Sequence, residues 1–510
     1  MRRISLPLAA LAAGAASAFA FEPVDWWLVM ILAIALLCEL VVRAASLRQA
    51  LLIGWLFGFG QFVIGLNWIA TAFTYQAAMP PWLGWIAVLL LSLYLAVYPA
   101  LATGLAWRFG TRGRPALILG LAGGWAISEW LRATMFTGFA WNPIGVALAD
   151  TPVRNAAAYV GTYGLSALLV IAAGALWLLA HRQWRAGSIA VLTILLAHLL
   201  PLPELDAGKA AVLRPIRIVQ PNIGQHLKWM PGFERVAAAK LDKLSGLRDQ
   251  RKELIFWPEA AVTEPLSDNR PGAATYVVDE RAEATRTVED QDLLLTGGLA
   301  FRSSDRMRVD AAANSVFVLG PGGKFVGRYD KAHLVPYGEY LPFRPVLSAI
   351  GLSRLAPGDI DFQPGPGPQS LTLPEGWGTA GFQLCYEIIF SGHVVDRDHR
   401  PDFIFNPSND AWFGPWGPPQ HLAQARLRAV EEGLPVIRST PTGISALVDA
   451  HGNVIDSIPW GKAGIIWGYL PPPAPPTLFA RLGNVIPLAL GLILLIAAIA
   501  LDRRARYRAI

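Results

Sequence analysis

The sequence predicts a polytopic α-helical membrane domain joined to an α/β layered domain, and three observations carry that prediction. Apolar stretches of membrane length recur along residues 1–205 and return once near the end of the chain. Between them, from about 212 to 470, short β-rich runs alternate with helical ones. Basic residues gather at alternate connections between the apolar stretches instead of covering one polar face.

Bulk composition agrees. Of 510 residues, 54% are hydrophobic and only 16% charged, against about 25% charged in soluble domains, and the mean hydropathy is +0.40. The net charge of +6 does not indicate nucleic acid, because the arginines fall in short clusters where the positive-inside rule places them. The two cysteines, Cys38 and Cys385, lie in an apolar run and in the polar block respectively. That excludes the cysteine framework of a small secreted domain. The polar block is long enough to have a core of its own.

Stretches at about 4–21, 26–42, 51–73, 82–107, 115–135, 156–180, 187–202 and 484–502 give about eight transmembrane helices by the roughly 20-residue criterion. Seven fall within 1–205 and the last within 484–510. The first, Met1-Arg2-Arg3 and then an apolar run ending Ala-Ser-Ala-Phe-Ala (16–20), also fits a cleaved signal peptide. A retained helix is preferred because it makes the charge pattern close. Arg2, Arg3, Arg43, Arg48, Arg108, Arg112, Arg114, Arg182, Arg185, Arg503, Arg504, Arg506 and Arg508 then share one side. The connections 21–25 and 74–81 carry no Lys or Arg, and 136–155 carries only Arg154. Both termini are expected to be cytoplasmic, with the polar block on the outer side, which in a Gram-negative bacterium is the periplasm. Trp26, Trp27, Tyr75, Trp82, Trp85 and Trp141 near the outer connections suit the headgroup level. Glu129 and Arg132, three apart in the fifth stretch, read as a transport path, an intrahelical pair or interfacial residues.

In the polar block, composition and turn boundaries predict strands at Ile216–Gln220, Leu254–Trp257, Leu293–Gly297, Ser315–Leu319, Phe325–Tyr329, Thr379–Leu384, Phe403–Asn406 and Gly443–Asp449. Turns are expected at Gly320–Gly323 and His451–Asn453. Helices are expected at about 231–249, 274–290 and 418–432, the last with one buried side. The alternation argues for an α/β layered domain over 212–470. Pro471–Pro476, in a connector at 471–483, then leads stiffly back to the final helix.

Three chemically apt residues end strand-like runs. Cys385 lies in Gly-Phe-Gln-Leu-Cys-Tyr-Glu-Ile-Ile-Phe (381–390), Glu259 in Phe-Trp-Pro-Glu-Ala-Ala (256–261) and Lys331 in Gly-Arg-Tyr-Asp-Lys-Ala-His-Leu (327–334). Taken singly, each has an ordinary explanation: a buried core cysteine, a turn or capping carboxylate, a solvated strand lysine. Together they form a set for acyl transfer through a thioester: a thiolate nucleophile, a carboxylate base whose pKa rises on burial and an ammonium to hold an oxyanion. Glu339 could pair with Lys331 or orient a substrate amine. His333, His393 and His421 leave a Cys–His arrangement open. No His/Cys/Asp/Glu cluster has zinc spacing, and no P-loop or dinucleotide fingerprint occurs, so neither a metal nor a nucleotide cofactor is implied.

The segments Trp-Pro-Glu-Ala-Ala (257–261), Tyr329–Pro342 and Cys385–Ile388 resemble the three signatures of the nitrilase, or carbon–nitrogen hydrolase, superfamily. With the flanking apolar stretches, the chain resembles its membrane-bound branch, the apolipoprotein N-acyltransferases. Gln220–Ile223, Lys228-Trp229, Asn406–Gly414 and Thr442–Ala446 reinforce the likeness. The resemblance implies an α-β-β-α sandwich, with Glu259 as general base, Lys331 as transition-state stabiliser and Cys385 as nucleophile. It implies supporting places for Trp229, Glu339, Tyr386, Glu387, Asn314, Trp412 and Phe413. It further implies a phospholipid acyl donor, a diacylglyceryl-modified apolipoprotein acceptor, an inner-membrane location and a monomer without cofactor. Pro441, Tyr337 and Ala313 depart from the family pattern and bear on lipid preference. Two other readings are a membrane-tethered amidase that uses water as acceptor, and a transporter or sensor whose outer domain binds without chemistry.

Overall fold

The structure, a computed structural model, describes residues 5–75, 80–110, 112–228, 230, 232–246, 252–349, 355 and 360–507. Each predicted apolar stretch is helical: Leu6–Ser17, Trp27–Val42, Leu47–Gly65, the consecutive pair Leu83–Leu95 and Val97–Gly110, Arg114–Thr134, Ala157–Ala180, Trp184–His198 and Val485–Tyr507. Among the described residues, four segments are long and apolar enough to cross a membrane: Leu47–Gly65, Leu83–Gly110, Pro152–Ala180 and Val485–Tyr507. Leu6–Ala20, Trp27–Val42 and Trp184–His198 are shorter apolar helices. The final helix packs on Arg114–Thr134 so closely that a Cβ on Gly123 would meet the Gly491 carbonyl oxygen at 2.5 Å. Small residues permit that approach between membrane helices. Glu129 and Arg132 are both buried, and each holds the chain that follows their helix. Glu129 Oε1 accepts from the Ile144 N–H at 2.8 Å, and Arg132 Nη1 donates to the Trp141 carbonyl at 2.7 Å.

The polar block folds into two stacked sheets. The first contains β1 Pro215–Gln220, β2 Leu254–Phe256, β3 Pro265–Asp268, β4 Leu293–Arg302, β5 Ala311–Gly320, β6 Lys324–Asp330 and β13 Gly464–Tyr469. Their order is β13-β1-β2-β4-β5-β6, with β3 on β4. The second contains β7 Ser370–Leu373, β8 Gly378–Phe382, β9 Phe403–Pro407, β10 Val436–Ser439, β11 Ser445–Val448 and β12 Val454–Ile458, in the order β12-β11-β10-β9-β8-β7. Both sheets are parallel at their centres and antiparallel at their edges.

The two-residue period of a strand assigns the layers. Ile216, Ile218, Leu254, Phe256, Leu293, Leu295, Val316 and Val318 face Phe403, Phe405, Ile437 and Leu447 between the sheets. Their neighbours Val219, Ile255, Trp257, Leu294, Phe317 and Leu319 turn outward onto Leu241 and Ala284 of the helices Phe233–Ser245 and Ala274–Ala284. Ile404, Val436, Ala446 and Val448 turn outward onto Ala425 and Ala429 of the helix Gly417–Glu432. Burying a side chain such as Phe256 contributes about 2–3 kcal/mol. The result is the α-β-β-α sandwich.

Two expectations are corrected. The helix Gly417–Glu432 does not have one buried side: Gln420, His421, Gln424, Arg428 and Glu431 are buried as well. Its second face lies on the membrane helices, which cover what would otherwise be a solvated surface. Trp141, expected at the headgroup level, is fully buried, whereas Trp26, Trp82 and Trp85 are exposed. Strands β3, β7, β10, β12 and β13 were not legible as runs. In β10 the buried Arg438 breaks the apolar pattern.

Candidate active site

Glu259 leaves the end of β2 through Pro258. A Cβ on Gly297 of β4 would stand 2.6 Å from the Glu259 Cα and 2.5 Å from the Ala260 nitrogen, so only glycine lets β4 run under this turn. Lys331 follows β6, and its N–H donates to the Asn314 carbonyl of β5 at 2.9 Å. Cys385 begins the turn after β8 with φ +52°, a left-handed conformation uncommon for a side-chain-bearing residue. Three elements of two sheets thus deliver the three residues to the same end of the sandwich.

All three are buried. Lys331 Nζ lies 2.9 Å from Glu339 Oε2, 3.0 Å from Glu339 Oε1 and 4.0 Å from Glu259 Oε1. Asn314 Nδ2 donates to Glu259 Oε1 at 2.7 Å and to Glu339 Oε1 at 2.8 Å. Glu259 Oε2 has no hydrogen-bond partner among the described residues. Burial penalises the Lys331 ammonium, but Glu339 and Glu259 outweigh it and hold its pKa above the ordinary lysine value. The Cys385 thiol is pushed well above the usual thiol range, first by burial and then by the Glu259 charge, while Lys331 pulls it back. The main-chain N–H of Asn409 lowers it as well.

Glu339 therefore pairs with Lys331, and its Oε2 also accepts from the Val335 N–H at 2.8 Å. Glu387 is a strut: it accepts from Tyr329 Oη at 2.9 Å and from the main-chain N–H groups of Ala332, His333 and Leu384 at 2.7, 2.9 and 2.7 Å. One carboxylate so ties the lysine loop to the cysteine turn. Tyr386 points to the membrane side, with Oη 3.4 Å from the Gly138 carbonyl. Phe413 packs on Trp68 at 4.6 Å and on Trp141 at 5.6 Å, and Trp412 meets Tyr75 at 5.7 Å. Both aromatics sit where the sandwich meets the membrane helices. Trp229 lies outside the described residues.

Residue type alone does not single out Lys228. Its ammonium is buried, donates to the Glu259 carbonyl at 3.1 Å, and burial pushes its pKa down to about 8. The only signal in the sequence was its place beside Trp229. The Cys–His arrangement is not what the fold builds. His421 approaches Cys385 from its main-chain side, with Nε2 3.1 Å from the carbonyl oxygen. His333 stacks on Phe390 at 4.0 Å. Away from the site, Glu22, Asp25 and Asp150 bring carboxylate oxygens within 4.8 Å of one another, and Arg426 pairs with Asp150 at 2.7 Å.

A buried thiol, a carboxylate with one oxygen unpartnered among the described residues, and a lysine held by a second carboxylate can carry out nucleophilic acyl transfer. Comparison with known proteins points to a family of acyltransferases. Residues 13–175 match the family model "Apolipoprotein N-acyltransferase N-terminal domain", and residues 216–473 match "Carbon-nitrogen hydrolase". An apolipoprotein N-acyltransferase of Rhizobium rhizogenes is 37% identical over 90% of this chain and 89% of its own length. That of Bradyrhizobium diazoefficiens is 34% identical over 98% of this chain and 95% of its own. That of Rhodopseudomonas palustris is 34% identical over 97% and 95%.

Proposed function

The chain belongs to the apolipoprotein N-acyltransferase family, and on that premise we propose that it moves a fatty acyl chain from a phospholipid to the N-terminal amine of a diacylglyceryl-modified apolipoprotein through a thioester on Cys385. The observation that carries this reading is that Glu259 Oε2 has no partner among the described residues. It leaves one carboxylate oxygen to take a proton while the other is fixed by Asn314.

In the first half-reaction Glu259 takes the Cys385 proton and the thiolate attacks an ester carbonyl of the phospholipid. The carbonyl electron pair moves to oxygen, where Lys331 meets the charge. The C–O bond to glycerol breaks, Glu259 returns the proton to the leaving oxygen, and lysophospholipid departs. In the second half-reaction the α-amine of the acceptor attacks the thioester carbon. Glu259 takes its proton, the C–S bond breaks, Glu259 passes the proton to the departing Cys385 sulfur, and an amide and the free thiol result. Burial and the Glu259 charge raise the thiol pKa, so the sulfur depends on a base to give up its proton.

In this reading residues 1–205 and 484–510 form the membrane domain, with all eight apolar stretches spanning and both termini cytoplasmic. The sandwich at 212–470 sits at the outer face of the inner membrane. Both substrates are anchored in the bilayer, so a site at its surface turns a search in volume into one in a plane. A monomer provides every group that the scheme uses.

Intact-protein mass spectrometry after incubation with a defined phospholipid tests the scheme. The expected result is one added acyl group on the wild type and none on Cys385→Ala, discharged by a diacylated lipopeptide and only slowly by water. Rapid discharge by water would favour an amidase-like hydrolase. Lipopeptide acylation without any adduct would sink the thioester.

A further inference from the structure

We propose that His421 is a positioning residue that holds the main chain of Cys385 in its left-handed turn, and that the membrane helices hold His421 in place through Trp141. The proposal rests on the reading of Cys385 as the acyl-carrying nucleophile.

A residue with φ +52° is strained, and it persists only when its surroundings over-determine it. The surroundings here are specific. The Cys385 carbonyl receives His421 Nε2 at 3.1 Å and, more weakly, Asn406 Nδ2 at 3.5 Å. A carbonyl oxygen only accepts, so Nε2 carries hydrogen whatever the charge of the ring.

The imidazole is itself fixed on its far edge. Its Nδ1 lies 3.0 Å from Asp410 Oδ1 and 3.0 Å from Arg438 Nη2. Arg438 reaches Asp410 at 2.6 and 2.8 Å, Ser408 at 2.9 Å, and also Asn406. Asn406 thus touches both the guanidinium and the cysteine carbonyl, closing the network on the turn it supports. His421, Asp410, Arg438 and Asn406 are all buried. Burial and the neighbouring Arg438 keep the histidine pKa below its ordinary value.

The face of the ring belongs to the other domain. Trp141 stands 5.2 Å from it, tilted by 42°. Trp141 is pinned by Arg132 on its carbonyl at 2.7 Å and by Gln420 on its indole N–H at 2.8 Å. A continuous packed path therefore runs from Arg132 in a membrane helix through Trp141 and His421 to the nucleophile.

The test uses the full-length enzyme in phospholipid nanodiscs, with His421→Phe, His421→Gln and Trp141→Leu. Three quantities are measured: the rate of acyl-Cys385 formation, the rate of Cys385 alkylation by iodoacetamide, which needs no lipid, and Tm. A misplacement of the nucleophile by about 1 Å costs on the order of 100-fold. His421→Phe should therefore slow acylation about 100-fold with KM for phospholipid unchanged. His421→Gln, whose amide N–H can reach the same carbonyl, should restore most of it. Trp141→Leu, which keeps every hydrogen bond of His421, should fall between them and stands in if His421→Phe does not fold. Wild-type acylation and alkylation rates in His421→Phe would overturn the proposal. Equal losses in Phe and Gln variants that track Tm would overturn it too, leaving a structural role. If the wild type itself gains no acyl group, the acyl-transfer reading fails. The alkylation rates then still decide the role of His421.

Discussion

Asn314 donates to Glu259 Oε1 at 2.7 Å while Glu259 Oε2 is left without a partner among the described residues. The two oxygens of one carboxylate are thereby made unequal: one is an anchor and the other is available for a proton. The second hydrogen of the same amide goes to Glu339 at 2.8 Å, so a single side chain fixes the separation of two negative charges around Lys331.

Asn314→Ala should release both carboxylates. Acyl-enzyme formation is expected to fall about 10–100-fold through lost orientation, with a stability cost of about 1–3 kcal/mol for buried acceptors left unpaired. Asn314→Asp should be worse, since it adds a third carboxylate beside Glu259 and Glu339. Single-turnover mass spectrometry gives the first quantity and thermal unfolding the second.

Glu259→Gln should separate thiol acidity from catalysis. The Glu259 charge raises the Cys385 pKa, after burial, so removing it lets Lys331 act less opposed and the pKa falls. The pH profile of iodoacetamide alkylation should shift to lower pH, while acyl transfer drops about 10²–10⁴-fold for want of a base. A profile that does not move would mean that the carboxylate is remote from the sulfur.

Glu432 gives the fold a pH dependence. Burial, and then Glu431 beside it, raises its pKa to about 7, against about 4.3 in an unfolded chain. The group is neutral in both states below the unfolded value. Its stabilising effect is fully present there and is lost as pH rises toward 7, by up to about 3 kcal/mol. Glu432→Gln should raise Tm at pH 8 and leave it unchanged at pH 4, as calorimetry of the two proteins at the two pH values would show.

Glu431 joins the two parts of the molecule. The helix Ala157–Ala180 is interrupted at Gly161, which has φ +67°, and Glu431 Oε1 takes up the next N–H, of Thr162, at 2.7 Å and its hydroxyl at 2.8 Å. It also accepts from Ser391 at 2.7 Å and pairs with the buried Arg428 at 2.8 Å. Glu431→Ala leaves a buried guanidinium uncompensated and should cost about 3–5 kcal/mol, read as a lower Tm. Glu431→Gln, which keeps an acceptor for Thr162, should recover part of that loss.

Much of the fold was written locally. The apolar stretches of the membrane part appear as helices because a backbone in lipid must satisfy its own hydrogen bonds. The eight predicted strands show as runs because their residues alternate between two buried layers. Strands such as β7, with four residues, and β12, exposed along most of its length, carry no such imprint. Neither does Val436–Ser439, where a buried arginine stands in the position of an apolar residue.

The site divides the same way. Glu259, Lys331 and Cys385 stand out in the sequence as candidates because each combines a reactive side chain with a strand end and a distinctive neighbourhood. Only the tertiary structure decided that Glu387 is a strut between two loops, that His421 serves the cysteine carbonyl and not its sulfur, and that Trp141 is core. It also decided that Gln420, Gln424, Arg428 and Glu431 face membrane helices where their composition had suggested water. The physical reason is that local pattern records how strongly a residue avoids water. Which partner removes that water is set by segments distant along the chain: Arg132 and Cys385 are linked through two side chains that no local periodicity relates.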